Sequence, residues 1–221
     1  MRKMTQANER DVDMYLAAKA HLLKSVFAYE IESIAAQQFD AFNEKDILRE
    51  TAWVILCSGF RESIVRRLFS FISLCFCDWE SAAAICNHAD KCRSTAIVSF
   101  RNTKKLDAII GVAAILEQKG FSQFKQDVLE APIPTLQVLP YIGPVTAFHL
   151  AKNLGLPTAK PDRHLERLAR NMGYAGTQEL CCVLATATGD PIQVVDTILW
   201  RCAEQRFPLT AKYTVQNGDP N

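Results

Sequence analysis

Apolar residues recur at intervals of three and four along most of this chain, and this spacing constrains the fold more than any other feature. The apolar positions between residues 12 and 27 follow it, and so do those between residues 47 and 56. Such spacing places apolar side chains on one face of an α-helix, whereas half-buried strands alternate apolar and polar residues. The sequence shows no convincing alternation of that kind. It therefore predicts an all-α protein with short connections.

The charge of the chain is nearly balanced, with a net value of +1 over 221 residues, and 49% of the residues are hydrophobic. A chain of this size can bury one core or two small lobes. Any contact with nucleic acid must come from local clusters of basic residues. Residues 141–175 supply one, with five Lys or Arg against two acids, whereas residues 1–50 carry seven against nine. This modest asymmetry suits a protein with one DNA-facing side.

The first ten residues lack the apolar core of a signal peptide, and no apolar run approaches the ~20 residues that span a bilayer. We therefore expect no membrane partner and reduced thiols, with a cytoplasmic, nucleoid-associated location, or a nuclear one in a eukaryote. We also expect a monomer. Residues 208–221 are polar and are expected to fray.

A turn followed by a helix is predicted at Leu139–Ala147, which reads LPYIGPVTA. Proline and glycine bracketed by apolar residues favour a tight reversal between two helices, and Gly143 is expected to be needed for the turn. The second helix should run from about Pro144 to Asn153. Its first turn has free N–H groups, which together with the helix dipole favour an anion such as a duplex phosphate. A phosphate contact positions a protein on DNA without selecting a base.

A second helix start follows at Pro161–Leu168, which reads PDRHLERL. Gly155 and Pro157 end the preceding helix, and Pro161 fixes φ before the next one. Asp162 therefore falls at an N-cap position, where the start of the helix holds its carboxylate rigidly. An N-cap aspartate needs no catalytic role, so a structural interpretation stands beside a catalytic one.

These two segments resemble the helix-hairpin-helix DNA glycosylase superfamily, which includes endonuclease III, the adenine glycosylase and the 8-oxoguanine glycosylases. The family pattern is roughly L-P-G-[VI]-G-x-[KSTW]-[TV]-A, followed by [VL]-D-x-H-[VI]-x-R-[VL]. Residues 100–120 resemble the family helix before the hairpin, and residues 53–60 resemble its helix and DNA-entering loop. The likeness spans about Ile47 to Glu204.

The resemblance implies a two-lobed helical fold with a cleft between the lobes. Residues 49–153 would form one lobe, ending in the helix-hairpin-helix motif. Residues 1–48 and 154–221 would form the other. The expected partner is double-stranded DNA that contains a damaged or modified base.

The resemblance also implies an enzyme of base excision repair that flips the base out of the duplex and hydrolyses its N-glycosidic bond. Asp162 would stabilise the positive charge that develops on the sugar and orient water. Family members that also cut the backbone carry a lysine where Val145 stands, so a monofunctional enzyme is favoured. The alternatives are a bifunctional glycosylase and lyase that uses Lys152 or Lys160, and a DNA-binding module without catalysis. A surface phosphate contact is the favoured role of both lysines. A defensive enzyme acting on modified viral bases would carry the same motifs.

Further roles are implied by position in the family motifs. Phe60 or Arg61 would fill the space that the base leaves, although Phe60 could equally be core. Trp53 stands where the adenine glycosylases carry a catalytic glutamate, and with Tyr141 it could wall a pocket suited to an alkylated purine, or it could be core. The expected DNA contacts are Gly143, Val145, Thr146, Phe60, Arg61, Lys104, Lys160 and Arg163. Lys104 and the adjacent Lys105 have two interpretations, a phosphate contact and a solvated helix face, and the solvated face is favoured.

No cofactor is required by the resemblance, although it permits a Na⁺ or K⁺ ion at the hairpin. The backbone carbonyls of Gln137, Leu139 and Ile142 match the positions that hold this cation in the family. Some family members carry a four-cysteine iron–sulfur loop near the C-terminus. Only Cys202 lies in that region, so we expect no cluster.

Four of the eight cysteines are close enough in sequence to raise the question of zinc. They are Cys75, Cys77, Cys86 and Cys92. Their spacing lacks the paired ligands of a zinc site. Free cysteines packed as small hydrophobic residues are the other interpretation.

Overall fold

The computed structural model describes residues 7–205, and this part of the chain is all helical, as the apolar spacing predicts. It contains thirteen α-helices, one short 3₁₀ segment at Cys77–Trp79, and no strand. The helices are α1 (Glu9–Leu22), α2 (Ala28–Ala36), α3 (Glu44–Cys57), α4 (Glu62–Cys75), α5 (Ala82–Asn87), α6 (Ala89–Ala96), α7 (Thr103–Lys119), α8 (Phe121–Glu130), α9 (Pro132–Leu136), α10 (Pro144–Asn153), α11 (Arg163–Asn171), α12 (Thr177–Thr188) and α13 (Ile192–Glu204). The predicted fraying of residues 208–221 lies outside the described residues. Across residues 7–205 no helix combines the length and the apolar character needed to span a membrane.

The chain divides into two compact units, each with its own apolar core. The central unit, Gln38–Leu156, contains α3 to α10. The terminal unit consists of residues 7–37 and 157–205 and contains α1, α2 and α11 to α13.

The core of the central unit forms where the apolar faces of α3 and α7 pack together with α4, α5 and α10. Its fully buried side chains include Ile47, Ile55, Leu56, Val65, Leu106, Val112 and Leu150. The core of the terminal unit forms where α13 packs against α1, α2, α11 and α12. Its fully buried side chains include Tyr15, Leu22, Leu165, Leu184 and Ile198. These two cores fix the helix ends on which the predicted site residues stand.

Side-chain caps set the starts of α3 and α7 in the central unit, and the cap of α3 is reciprocal. Before α3, the Asn43 side chain accepts from the Asp46 N–H (3.0 Å) while the Asp46 carboxylate accepts from the Asn43 N–H (2.9 Å). Before α7, the Asn102 side chain accepts from the N–H of Lys105 (3.2 Å). Each cap satisfies an N–H that the helix itself leaves without a partner.

Candidate functional site

The predicted hairpin is a tight turn between α9 and α10. The Ile142 N–H donates to the Leu139 carbonyl (3.1 Å), and both side chains are buried in the core of the central unit. Pro140 and Tyr141 are the two central residues, and Tyr141 has a φ of +65°. Proline followed by a residue with positive φ is typical of a type II turn. Helix α10 then has the bounds that the sequence predicts, Pro144–Asn153.

The left-handed position of this turn is Tyr141, not Gly143. The family pattern has glycine where this chain has Tyr141, and a left-handed conformation costs other residues about 1–2 kcal/mol. Gly143 is extended, with φ −96° and ψ −174°, and a Cβ there would meet the Thr146 hydroxyl at an ordinary 3.9 Å. The turn therefore does not depend on the backbone freedom of Gly143.

The start of α10 presents backbone N–H groups beside an exposed apolar side chain. The Gly143 N–H donates to the Thr146 hydroxyl (2.7 Å), and Pro144 has no N–H. The remaining first-turn N–H groups have no carbonyl acceptor within the helix, and the dipole makes this end positive. Val145 is 43% exposed at the same turn. A phosphate oxygen is a suitable acceptor for such a helix end.

The carbonyls predicted to hold a monovalent cation, those of Gln137, Leu139 and Ile142, lie along this turn. The Leu139 carbonyl already accepts the hydrogen bond that closes it. A carbonyl oxygen has a second lone pair, so this hydrogen bond is compatible with ligation of a cation. The donor set therefore fits Na⁺ or K⁺, and the ion stays a prediction.

The predicted DNA-entering loop follows the C-terminus of α3. Gly59 has a φ of +73°, and the Phe60 N–H donates back to the Cys57 carbonyl (3.1 Å). The Phe60 ring lies 5.1 Å from the ring of Phe100, centroid to centroid, yet the residue is 42% exposed. Arg61, which precedes α4, is exposed. The core and wedge interpretations of Phe60 are therefore compatible, because one part of the ring packs and another faces solvent.

Lys105 is buried, at 3% exposure, and not on a solvated helix face. Its ammonium donates to the backbone carbonyls of Ile55, Leu56 (3.2 Å) and Ser58 (2.6 Å) at the end of α3. Burial lowers the pKa of this group, and the neighbouring Cys57 acts in the opposite direction.

The same ammonium lies close to two exposed aromatic rings. The distance from Nζ is 5.0 Å to the centroid of Phe60 and 5.8 Å to that of Tyr141. Both distances are in the range of cation–π attraction. The structure thus places two predicted site residues, Phe60 and Tyr141, beside Lys105, for which the sequence favoured a solvated helix face.

Trp53 packs against α4. Its ring meets the edge of Phe69 (5.1 Å between centroids), and the Arg66 guanidinium lies over it at 5.5 Å. A cation therefore already occupies a place over this indole. An alkylated, cationic purine would have to compete with Arg66 for that interaction, which weakens the case for Trp53 as its pocket wall.

In the terminal unit, Asp162 caps α11 as the sequence predicts. Its Oδ1 accepts from the N–H groups of His164 (2.7 Å) and Leu165 (3.4 Å). Among residues 7–205 no hydrogen-bond donor reaches its Oδ2, and the residue is half-buried. The helix start therefore fixes the carboxylate through one oxygen and leaves the other available.

The segment before Asp162 is held by the core of its own unit. The Lys160 N–H donates to the buried carboxylate of Asp196 (3.0 Å), and the Asp162 N–H donates to the Lys160 carbonyl (2.7 Å). Arg163 follows and is exposed. Two further exposed arginines, Arg167 and Arg170, lie one and two turns along α11. These residues make the exposed side of α11 basic.

The remaining predicted lysines differ in exposure. Lys104, in the first turn of α7, is exposed and can reach a phosphate. Lys152, near the end of α10, is buried, with 7% of its surface exposed. Its burial argues against a surface phosphate contact.

Glu50 is a further ionisable group that sequence reasoning missed. Its carboxylate accepts from the Asn153 amide (2.9 Å) and from the Arg49 guanidinium (2.7 Å), which ties α3 to the end of α10. Burial raises the pKa of Glu50, against the opposing effects of these two neighbours. Its position one turn before Trp53, on a helix with many buried apolar residues, is the signal that could have identified it.

All eight cysteines are free thiols. Within residues 7–205 no group of three or more His, Cys, Asp or Glu side chains is arranged to hold a metal ion. Burial raises the pKa of Cys86, Cys92 and Cys202 to about 11 in each case, which is typical of packed thiols and not of reactive ones.

Comparison with protein-family models, curated proteins and solved structures finds no match for this chain. Function must therefore be inferred from the residues and their geometry. Two features of the described residues support a function. One is the pair of turns around Lys105 in the central unit, and the other is the capped carboxylate of Asp162 in the terminal unit.

Proposed function

We propose that this chain is a monofunctional DNA glycosylase with the two-lobed helix-hairpin-helix fold that the motifs resemble. It flips a damaged or modified base out of duplex DNA and hydrolyses the N-glycosidic bond. The observation that carries the proposal is Asp162, a carboxylate fixed at a helix start through one oxygen, with the other oxygen available.

The carboxylate has two roles in this reaction. As the bond between C1′ and the base breaks, the base leaves with the electron pair and positive charge develops on the sugar. The fixed negative charge of Asp162 stabilises that charge without moving. Its available oxygen orients a water molecule, whose oxygen bonds to C1′ while its proton is released, and the departing base acquires a proton.

The central unit supplies features suited to holding the duplex. The first turn of α10 offers N–H groups to a phosphate, and Lys104 adds a positive charge at the start of α7. Phe60 and Tyr141 are exposed aromatic rings, which can stack on bases or fill the space that a flipped base leaves. None of these contacts depends on which base is present, and this suits an enzyme that must search along a duplex.

Strand cleavage has weaker support. Val145 occupies the position of the lyase lysine in the family pattern and cannot form a Schiff base. Lys152 is buried, and Lys160 is half-buried on a segment tied to Asp196. Borohydride reduction in the presence of abasic duplex tests this alternative, because a covalent adduct would require a lysine nucleophile.

The test of the main proposal is base release. The full chain is incubated with duplexes that carry oxidised, alkylated, deaminated or hypermodified bases, and free bases are identified by mass spectrometry. We expect release from one of these classes by the parent chain. Asp162→Asn should bind the same duplex with unchanged affinity, because asparagine also caps helices, and should release no base.

A matched pair of variants tests the hairpin. Val145→Glu places a negative charge in the first turn of α10, which suits the helix dipole but repels phosphate. Val98→Glu makes the same change at a side chain that is 72% exposed elsewhere in the central unit. We expect weaker duplex binding for Val145→Glu alone. Duplex binding without base release by the parent chain would instead support a non-catalytic binding module.

A further inference from the structure

We propose that Lys105 is a positioning residue that fastens the 58–60 turn and the 139–142 turn to a single ammonium group. The inference rests on the proposed function in one respect: that function is why these turns would present Phe60 and Tyr141 to DNA. The fastening itself is a property of the protein alone.

The hydrogen bonds of Lys105 account for its burial. A lysine ammonium has three donors, and three carbonyls converge on it, those of Ile55, Leu56 and Ser58. They belong to the C-terminal end of α3, where the helix leaves carbonyls unpaired and the dipole is negative. A buried cation is thereby fully satisfied, and the backbone that leads into the 58–60 turn is held in place.

The two rings are attached to the same cation from different parts of the chain. Phe60 follows the third of the carbonyls, and Tyr141 is the left-handed residue of the hairpin turn. Both rings keep a large exposed fraction, 42% for Phe60 and 46% for Tyr141. Each ring therefore contacts the cation with one part and presents another part to solvent.

The same geometry separates Lys105 from the strand-cleaving alternative. A lysine that attacks C1′ must be a neutral amine with a free lone pair. Although burial lowers the pKa of Lys105, its nitrogen is directed at three carbonyls at the end of α3 and the residue is 3% exposed, so it cannot reach a sugar carbon without breaking these contacts. Lys105 therefore orients the rings and does not act as a nucleophile.

Lys105→Met tests the inference, with Lys104→Met as the matched control. The two residues are adjacent in the first turn of α7, but Lys104 is exposed. Hydrogen exchange of the free protein, read by mass spectrometry, should become about tenfold faster or more in both turns for Lys105→Met, because their amides open more readily without the shared cation. Lys104→Met should exchange like the parent.

Unchanged exchange in Lys105→Met, or faster exchange confined to the 58–60 turn, would overturn the inference. Lys105→Arg serves if Lys105→Met does not fold, since it keeps the charge but cannot aim three donors at three converging carbonyls as an ammonium does. It should loosen both turns less than methionine would, and unchanged exchange in both turns would again count against the inference.

A second measurement tests whether the position of the two rings affects how the protein unstacks DNA bases. A duplex with 2-aminopurine beside the target base gains fluorescence when the base is unstacked. We expect the parent chain to raise this signal, and so should Lys91→Met, a control at an exposed lysine of α6 that has no part in the proposed DNA contact. Lys105→Met should lose most of the increase. If exchange responds as expected but the parent chain raises no signal, the fastening stands and the proposed function fails. A full increase with Lys105→Met would overturn the positioning role.

Discussion

The left-handed conformation of Tyr141 makes a specific prediction about stability. Tyr141→Ala and Tyr141→Gly remove the same ring and the same contact with Lys105. The two variants differ only by a Cβ atom at a position where φ is +65°. Any difference in their free energy of unfolding therefore reflects the backbone at this position, in the folded and in the unfolded chain, and not the contribution of the ring.

The expected difference follows from two opposing effects. A Cβ in the left-handed region costs about 1–2 kcal/mol in the folded state. Glycine costs about 0.4–1 kcal/mol through the greater freedom of the unfolded chain. Tyr141→Gly should therefore be more stable than Tyr141→Ala by roughly 0.5–1 kcal/mol. With a urea dependence of about 2 kcal/mol/M, that corresponds to roughly 0.3–0.5 M in the midpoint of unfolding.

Urea unfolding of the two variants, followed by circular dichroism, measures the difference. The slopes should agree, since both chains expose nearly the same surface. If the ring contacts DNA as proposed, duplex affinity should fall equally in both variants relative to the parent, because both lack the ring. A Tyr141→Ala variant more stable than Tyr141→Gly by about 0.4–1 kcal/mol, the difference expected from the unfolded chain alone, would refute the strain. Unequal affinities would show that the backbone, and not the ring, governs the contact with DNA.

Three further changes test other contacts. Asp162→Ala should lower the free energy of unfolding by about 1 kcal/mol, and Asp162→Asn by much less, in urea unfolding, because asparagine keeps the cap. Glu50 has a higher pKa in the folded than in the unfolded chain, so it stabilises the fold most below its unfolded-state pKa, and this contribution is lost as pH rises through its folded-state pKa. In Glu50→Gln the free energy of unfolding should not show this loss between about pH 4 and pH 8. Glu30→Gln breaks a two-pronged ion pair (2.8 Å) with Arg201, whose side chain is 3% exposed. It should cost about 2 kcal/mol, because Glu204 still pairs with the buried cation, and thermal unfolding measures the loss.

Local rules were sufficient for much of the architecture. The apolar spacing predicted an all-helical chain, and proline and glycine placed the bounds of α10 correctly. The N-cap position of Asp162 was also predicted, since a cap is decided by the residue and its immediate neighbours. Each of these features depends on residues within a few positions of one another, which is the range over which sequence patterns are informative.

The environment of Lys105 depends on contacts that such patterns do not contain. Its acceptors are backbone carbonyls, which any residue carries, and they come from a different helix. A weaker signal was present, because Lys105 occupies the same helical stripe as Ala108, Val112 and Leu116, all of which are buried. A lysine in line with an apolar stripe indicates either an extended side chain that reaches solvent or a buried partner.

Two unfavourable features of the central unit occur at one place. Tyr141 is strained in its backbone, and Lys105 is a buried cation that needs every one of its donors satisfied. A glycine at the first position and an apolar residue at the second would satisfy the local rules of turn and helix. Departures from those rules persist where the surrounding structure compensates them and where a function requires them. Since both departures orient exposed aromatic rings, the shared environment of Phe60 and Tyr141 is where we expect this unit to meet its ligand.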